Sequence, residues 1–456
     1  MDQPAASPSA APAEKFPPGL ENAFWFATFN ALSYPIILSS PMILFAKSLN
    51  ASATVLGIVA GMMPLLVIFQ IPAASHIARV GYQRFVYAGW GLRVMFIFAM
   101  ALIPVAGNFL AQATQLALLL LLLFCFNLSR GISSAAWLPW ITTLIPESLR
   151  GRFLATEATL VSVANFTTLA LAALCLGASP SPWQFSLLFF ISAVMGALSL
   201  RYLKRIPDAE VPAAERVSNQ PVPWLELAAY PPFRRLLIYI IGWSVAYGGV
   251  STFTVSYLKA ATTMTDGAIL LLTGLAFLGG LAALWLFRTR IDQFGSKPVI
   301  GVSLLGWLLI IAGWLLLATG LYPPTFSLVL TLNLAMGFVF TLINVNNTRL
   351  AMTLTPAMGR SHFFALYSVV SNVSLGLSPV LWGLAIDVFG SRTFQWQQMT
   401  WDRYGFYFVG VLVAFVVNAA LALRLVEPKS ATIDQLLRDL LIVSPQRSLL
   451  RLWKRE

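Results

Sequence analysis

Charge is what this sequence has least of. Asp, Glu, Lys and Arg make up 10% of its 456 residues, against about 25% in ordinary soluble domains. A soluble chain of this length covers its surface with charge, and 29 basic plus 17 acidic residues do not suffice. That shortage excludes a soluble enzyme, a nucleic-acid-binding domain and a disordered protein together. Cysteine and histidine are as scarce. Cys125 and Cys175 both lie in apolar runs, so neither a disulfide framework nor a Cys-rich metal site is available. His76 and His362 are the only histidines and stand far apart. A membrane-embedded enzyme would need His, Asp and Glu clustered at one leaflet, and no such cluster exists. No metal, cofactor or catalytic residue is therefore expected.

What fills the chain is apolar: 58% hydrophobic and 13% aromatic residues, with a mean hydropathy of +0.78. A membrane-crossing helix needs about 20 mostly apolar residues. Twelve such stretches are predicted: 23–46, 53–75, 84–107, 114–140, 153–176, 184–204, 234–258, 267–288, 297–319, 325–350, 361–386 and 404–426. Span 4 ends at Trp137, Pro139 and Trp140, which read as interfacial. The expected organisation is an all-α polytopic protein. Residues 1–22 form a Pro/Ala-rich disordered tail, 23–204 a six-helix bundle, 205–233 a polar linker, 234–427 a second six-helix bundle and 428–456 a polar tail. In that last segment Ile433, Leu436, Leu437, Leu440 and Leu441 recur at helical spacing among basic residues. This pattern suits a helix lying on a lipid surface or docking on a partner.

The net charge of +12 is unevenly placed. With these spans, 22 of the 29 basic residues fall on one side, and only Lys47, Lys259, Arg392 and Arg403 on the other. Lys and Arg accumulate on cytoplasmic loops, so both termini and the linker are expected in the cytoplasm of a cell (plasma or inner) membrane. The positive charge orients the chain and does not call for nucleic acid.

The two halves echo each other. Lys47 and Lys259, closing spans 1 and 7, are 212 residues apart. Gly81 and Gly295, after spans 2 and 8, are 214 apart; Pro146 and Pro356, after spans 4 and 10, are 210 apart, as are Arg150 and Arg360. A six-span unit duplicated in tandem keeps its orientation, and its copies are related by an axis along the membrane normal.

On these residues the chain resembles the major facilitator superfamily of secondary transporters. The family's loop motif, G-x-x-x-D-R-x-G-R-R/K, is approached after span 8 by Asp292, Gly295 and Lys297. After span 2 it is approached by Arg79, Gly81 and Arg84, with Ala78 in the aspartate's place. Arg130-Gly131 looks like its span-4 motif, Pro146 to Arg152 like its loop 4–5, and Gly376-Leu377-Ser378-Pro379 is similar to its span 11. Span 5 lacks the Gly-Pro-Gly-Gly-type element of the drug/proton antiporter branch. The resemblance implies two pseudo-symmetric bundles and alternating access. It also implies a cytoplasmic gate in which Asp292 braces the start of span 5 at Arg150 and Arg152, while Ala78 offers nothing to Arg360 and His362.

Few polar residues stand inside the spans. Arg130 lies near the bilayer middle, where a charge costs about 2.5–3.5 kcal/mol and must face a cavity or a partner. It reads as an anion-binding or coupling residue, or as an arginine bonded to a neighbour's carbonyls. Arg93 in span 3 reads as structural or snorkelling. Glu157 is the acid closest to mid-membrane, hence the coupling candidate, free to pair with Arg93 or Arg130 or to carry a proton; a helix-start glutamate favoured by the dipole is the plain alternative. In the resembling family, spans 1, 4, 7 and 10 line the central path. Here they offer Asn30, Tyr34, Asn127, Arg130, Trp243, Tyr247, Asn333, Asn344 and Asn347, and span 11 adds Asn372. Amides and aromatic faces suit a polar or amphipathic organic solute; the alternative for each asparagine is an interhelical hydrogen bond. Pro35, Pro41, Pro64, Pro104 and Pro379 mark bends in the helices. The reading is a carrier of a small organic solute, exchanging, facilitating or coupled to protons or another ion, and monomeric. A lipid or amphiphile translocator and a transport-inactive receptor or assembly factor are the alternatives.

Overall fold

The computed structural model describes residues 16–209, 228–287, 295–354, 360–427 and Gln435. Twelve helical segments are long and apolar enough to cross a membrane. Spans 1–6 are Glu21–Ser48, Ala53–Ala73, Tyr82–Asn108, Gln112–Leu144, Thr156–Leu176 and Pro182–Leu203. Spans 7–12 are Pro231–Ala261, Asp266–Phe287, Ser296–Ala318, Phe326–Leu354, Phe363–Phe389 and Arg403–Leu423. Large apolar side chains such as Leu174, Leu309, Val388 and Leu423 are more than 70% exposed. An exposed apolar surface on that scale is covered by lipid.

Within the first half, span 1 packs on spans 5 and 6, and span 3 on spans 4 and 6. The second half repeats the plan: span 7 packs on spans 11 and 12, and span 9 on spans 10 and 12. Span 2 crosses to span 11 and span 5 to span 8, joining the bundles. The chain thus folds as two pseudo-symmetric six-helix bundles. By parity, residues 21 and 423 share one face, called here the basic face; the loops after spans 1, 7 and 11 lie on the opposite face.

Several boundaries differ from the sequence reading. Span 1 begins at Glu21, and Phe16 packs edge-on against Phe24 at 5.5 Å and Phe153 at 6.3 Å. Residues 16–22 are therefore laid against the first bundle. Span 4 runs through Pro139 to Leu144, and Trp140 is fully buried; its indole donates at 3.0 Å to the carbonyl of Pro207, which lies just past the end of span 6. A short hairpin pairs Phe394–Trp396 with Met399–Trp401 before span 12. The amphipathic pattern of 433–441 lies outside the described residues, apart from Gln435.

Two spans are broken in matching places. Span 1 is helical over Glu21–Leu38, is interrupted at Ser39 in extended conformation, and resumes over Ser40–Ser48. Span 7 is helical over Pro231–Tyr247, passes through Gly248 and Gly249, and resumes over Val250–Ala261. Backbone groups freed inside a bilayer need partners from neighbouring helices, and they find them. Pro35 has no N–H for the Ala31 carbonyl, and the Thr168 hydroxyl of span 5 donates to it at 3.3 Å. The Val245 carbonyl accepts from the Ser378 hydroxyl at 3.0 Å and the Trp382 indole at 2.7 Å, both from span 11.

Candidate substrate path and gates

Both helix breaks open onto the space between the bundles. A cavity of about 380 Å³ is lined by Ser39, Ser40, Tyr247, Ser251, Trp307, Asn333, Phe340 and Thr341, among others. A smaller chamber of about 220 Å³ shares Ser39, Ser40, Tyr247 and Ser251 and adds Met63, Pro64 and Asn372. The walls on the C-terminal side are aromatic. Trp243 stacks on Tyr247 at 5.1 Å, and Tyr247 stacks on Phe340 at 4.8 Å. Trp307 stands edge-on to Tyr247 at 5.5 Å and stacks on Phe415 at 5.2 Å. Each such pair contributes about 0.5–1.5 kcal/mol beyond its buried area, so this wall is stiff.

On the N-terminal side Ser39, Ser40, Ser162 and Leu169 line the larger cavity, while the arginines within that bundle's spans, Arg93 and Arg130, line neither chamber. Arg93 is 4% exposed and lies between the rings of Trp90, at 4.7 Å, and Phe126, at 4.9 Å. Such burial rules out snorkelling. Arg130 interacts electrostatically with Arg93 and with Tyr34. The Tyr34 hydroxyl accepts from the Asn165 amide of span 5 at 3.1 Å. Asn30 accepts from the Trp90 indole at 3.4 Å. Arg93 Nε and one terminal nitrogen of Arg130 are buried without a hydrogen-bond partner. The ion pair among the described residues is Lys259–Asp266; Glu157, half-buried in span 5, pairs with neither arginine.

The remaining path residues divide. Asn333 and Asn372 line the chambers while donating to their own helices, to the Val329 and Ser368 carbonyls, both through an i−4 bond. Asn127 is buried and donates to the Leu123 carbonyl, and Asn347 accepts from the Tyr239 hydroxyl at 3.1 Å. Asn344 is exposed. These three line neither chamber, nor do Asn30, Tyr34, Arg130 and Trp243, so of the ten predicted path residues Tyr247, Asn333 and Asn372 line one. The sequence reading passed over Ser39, Ser251, Asn165, Trp307 and Phe340. The Gly248-Gly249 pair inside an apolar run is the one local signal at the span-7 break.

On the face opposite the basic one, the bundles meet closely. The Asp387 carboxylate at the end of span 11 accepts from the Ala53 N–H at 3.0 Å and the Thr54 N–H at 2.8 Å, capping span 2. A carboxylate suits the positive end of a helix dipole. Lys47 and Arg403 line the same recess. At the second seam the Gly267 N–H of span 8 donates to the Gly177 carbonyl, after span 5, at 2.8 Å. Along spans 2 and 11 the backbones nearly touch: a methyl on Gly57 would strike the Pro379 carbonyl, one on Gly61 the Gly376 carbonyl, and one on Gly383 the Ala53 carbonyl.

At the basic face Gly81 and Gly295 have φ of +85° and +84°, a region open to glycine, and each opens the helix that follows. Gln83 N–H donates to Asp208 at 3.4 Å, and Ser296 and Lys297 N–H donate to Glu427 at 2.8 and 2.7 Å. Asp208 and Glu427 follow the last span of each half, so each bundle closes on its own third helix. Lys297 Nζ adds a bond to the Leu423 carbonyl at 3.3 Å. Arg79 and Arg84 are exposed. Asp292 and the side chains of Arg150, Arg152 and Arg360 lie outside the described residues, and the expected brace between them lies there too.

Paired bundles, broken helices turned to a central cavity and a duplicated loop glycine define a membrane carrier architecture. The sequence profile of the Major Facilitator Superfamily matches residues 23–291. The chain belongs to that superfamily and is a multi-pass membrane transporter of solutes. No curated protein matches it. Among solved structures it is similar to a variant of the nucleoside transporter NupG, with TM-score 0.67 and 13% identity over 90% of this chain and 100% of that one. It is also similar to a POT family transporter in complex with 5-aminolevulinic acid, with TM-score 0.67 and 14% identity over 89% and 96% of the two chains. A third similar structure is the inward open conformation of the xylose transporter XylE from E. coli, with TM-score 0.63 and 13% identity over 91% and 96%.

Proposed function

We propose that the protein carries a small organic solute across a cell membrane by alternating access, as a monomer. The basic face is cytoplasmic, with both termini on it, and the bundles 23–204 and 234–427 rock about the linker 205–233. The observation that carries this reading is the cavity between the bundles, flanked by breaks in spans 1 and 7 and covered by two seams on the side opposite the basic face. Discontinuous helices at a repeat interface are where transporters place their substrates. Tyr34, Arg130, Trp243, Tyr247, Asn333 and Asn372 form the path. Asn30 supports it, while Asn127, Asn344 and Asn347 serve helix packing or the open vestibule. Glu157, half-buried and without an ion-pair partner among the described residues, is the coupling group if protons drive transport. The basic-face gate combines Asp292 with the start of span 5.

Proteoliposomes settle the function. Saturable uptake of an organic solute above that of protein-free vesicles supports a carrier; ligand binding without flux makes the protein a receptor, and flipping of labelled phospholipid makes it a lipid translocator. Orientation is checked with cysteines at Ser52 and Ser218, expected to react from outside and inside respectively. Reaction of the Ser218 variant from outside in intact cells would invert the topology.

A further inference from the structure

Two guanidiniums lie in the membrane interior of the first bundle with no acid beside them. Arg93 is 4% exposed and Arg130 is partly buried. Neither donates a hydrogen bond within the described residues, and each has a buried nitrogen without a partner. The groups facing them are rings and neutral acceptors: Trp90, Phe126 and Tyr34. A protein that kept these charges for structure would supply a carboxylate or carbonyls, as an unpaired intramembrane charge is costly. The one acid of this region, Glu157, does not supply it. Tyr34 precedes Ser39 by five residues, about 7.5 Å along a helix, and Ser39 lines both chambers. Neither arginine lines either chamber, but Arg130 keeps part of its surface open and so remains within reach of a solute that enters between the bundles.

Building on the carrier reading, we propose that Arg93 and Arg130 form an oxyanion subsite and that the solute is an amphipathic organic acid, a carboxylate or phosphate monoester. Its acidic group takes the open guanidinium donors, Arg130 reaching it in bidentate fashion and Arg93 held in plane by Trp90 and Phe126. Its apolar body lies against Tyr247, Phe340 and Trp307. The anion restores neutrality to a site that is otherwise doubly positive, so binding is selective for charge before shape.

The test is thermal unfolding of the purified full-length protein with aliphatic and aromatic carboxylates and phosphate monoesters. Their uncharged amides and alcohols, chloride and inorganic phosphate are measured beside them. Members of the acid set should raise the midpoint while their neutral counterparts do not. Arg130→Gln should weaken that binding about tenfold or more, with Arg130→Lys between, because lysine keeps charge and loses the planar fork. Arg93→Gln is measured as well, but the conclusion does not depend on its folding. No shift with any acid, equal shifts with the amides, or equal shifts with inorganic phosphate would overturn the subsite. Uptake separates this inference from the carrier reading. Acid binding lost in Arg130→Gln but no flux in vesicles keeps the subsite and removes the carrier. Flux of a neutral solute unchanged by Arg130→Gln keeps the carrier and removes the subsite.

Discussion

Arg93 of span 3 has its counterpart 214 residues later in Trp307 of span 9, at the spacing that relates Gly81 to Gly295. Arg130 of span 4 corresponds, at the 210-residue spacing of Pro146 and Pro356, to Phe340 of span 10. Thus two positions that are cationic in the first bundle are aromatic in the second, on the same scaffold, and only the aromatic pair lines the cavity. The seams differ similarly. Asp387 corresponds to Gly177 at 210 residues, and Ala53 to Gly267 at 214. One seam is closed by a carboxylate and the other by a backbone carbonyl. Duplication preserved where contacts fall and left their chemistry free to diverge. Helix packing constrains size and position, while the groups facing the cavity answer to the solute.

The comparison can be broken most forcefully at Trp307. Trp307→Ala removes a fully buried ring that stacks on Phe415 and should cost about 3–5 kcal/mol of stability, read as a fall in the unfolding midpoint. The matched change in the other half, Arg93→Met, should leave that midpoint level or raise it, since exchanging a buried charge for an apolar residue is neutral to about 1–4 kcal/mol stabilising. A comparable loss in both variants would mean that Arg93 is structural. Next in size is Arg130→Ala, which should leave the fold intact and reduce solute uptake in proteoliposomes by about tenfold or more, the scale of a charge-assisted bidentate contact. Normal uptake would remove Arg130 from the path.

The seam comparison is sharpened by Asp387→Asn. It replaces a charged acceptor of two N–H donors with a neutral one and should favour opening of that seam by about 1.5–3 kcal/mol. The opening would be seen as a longer distance between spin labels at Asn50 and Arg392. The Gly177 seam has no ionisable group to remove, so labels across spans 5 and 8 should report the same motion only as a consequence. The smallest effect is expected for Ser378→Ala, about 1 kcal/mol of stability, because the Trp382 indole still holds the Val245 carbonyl.

Twelve spans and their duplication were legible because lipid imposes length and apolarity on every helix. The 210–214 spacing survived in loop glycines, prolines and arginines that turn geometry and topology hold fixed. The break in span 7 escaped notice, since no proline marks it and glycine pairs occur elsewhere, as at Gly279 and Gly280 within unbroken helix. The role of Asp387 was not legible, because its partners are two backbone N–H groups 333 and 334 residues away. Asp208 and Glu427 escaped for the same reason. Asn127, Asn333 and Asn372 all turn an amide back on their own helices, yet only the last two line a chamber, a difference set by neighbours that no spacing reveals.

The seam between spans 2 and 11 bears on speed. Gly57, Gly61, Gly376 and Gly383 bring backbone against backbone there, with the Leu65 and Val380 side chains packed over Gly376 and Gly61. When such surfaces separate or slide, few rotamers need be unpicked and few bulky groups must climb over another. The friction of the movement is therefore low and its activation barrier is shared among weak contacts. A bulkier residue at Gly383, which abuts Ala53 at the end of the seam away from both chambers, would act as a brake: it would slow the exchange between the two orientations while leaving solute recognition as it was.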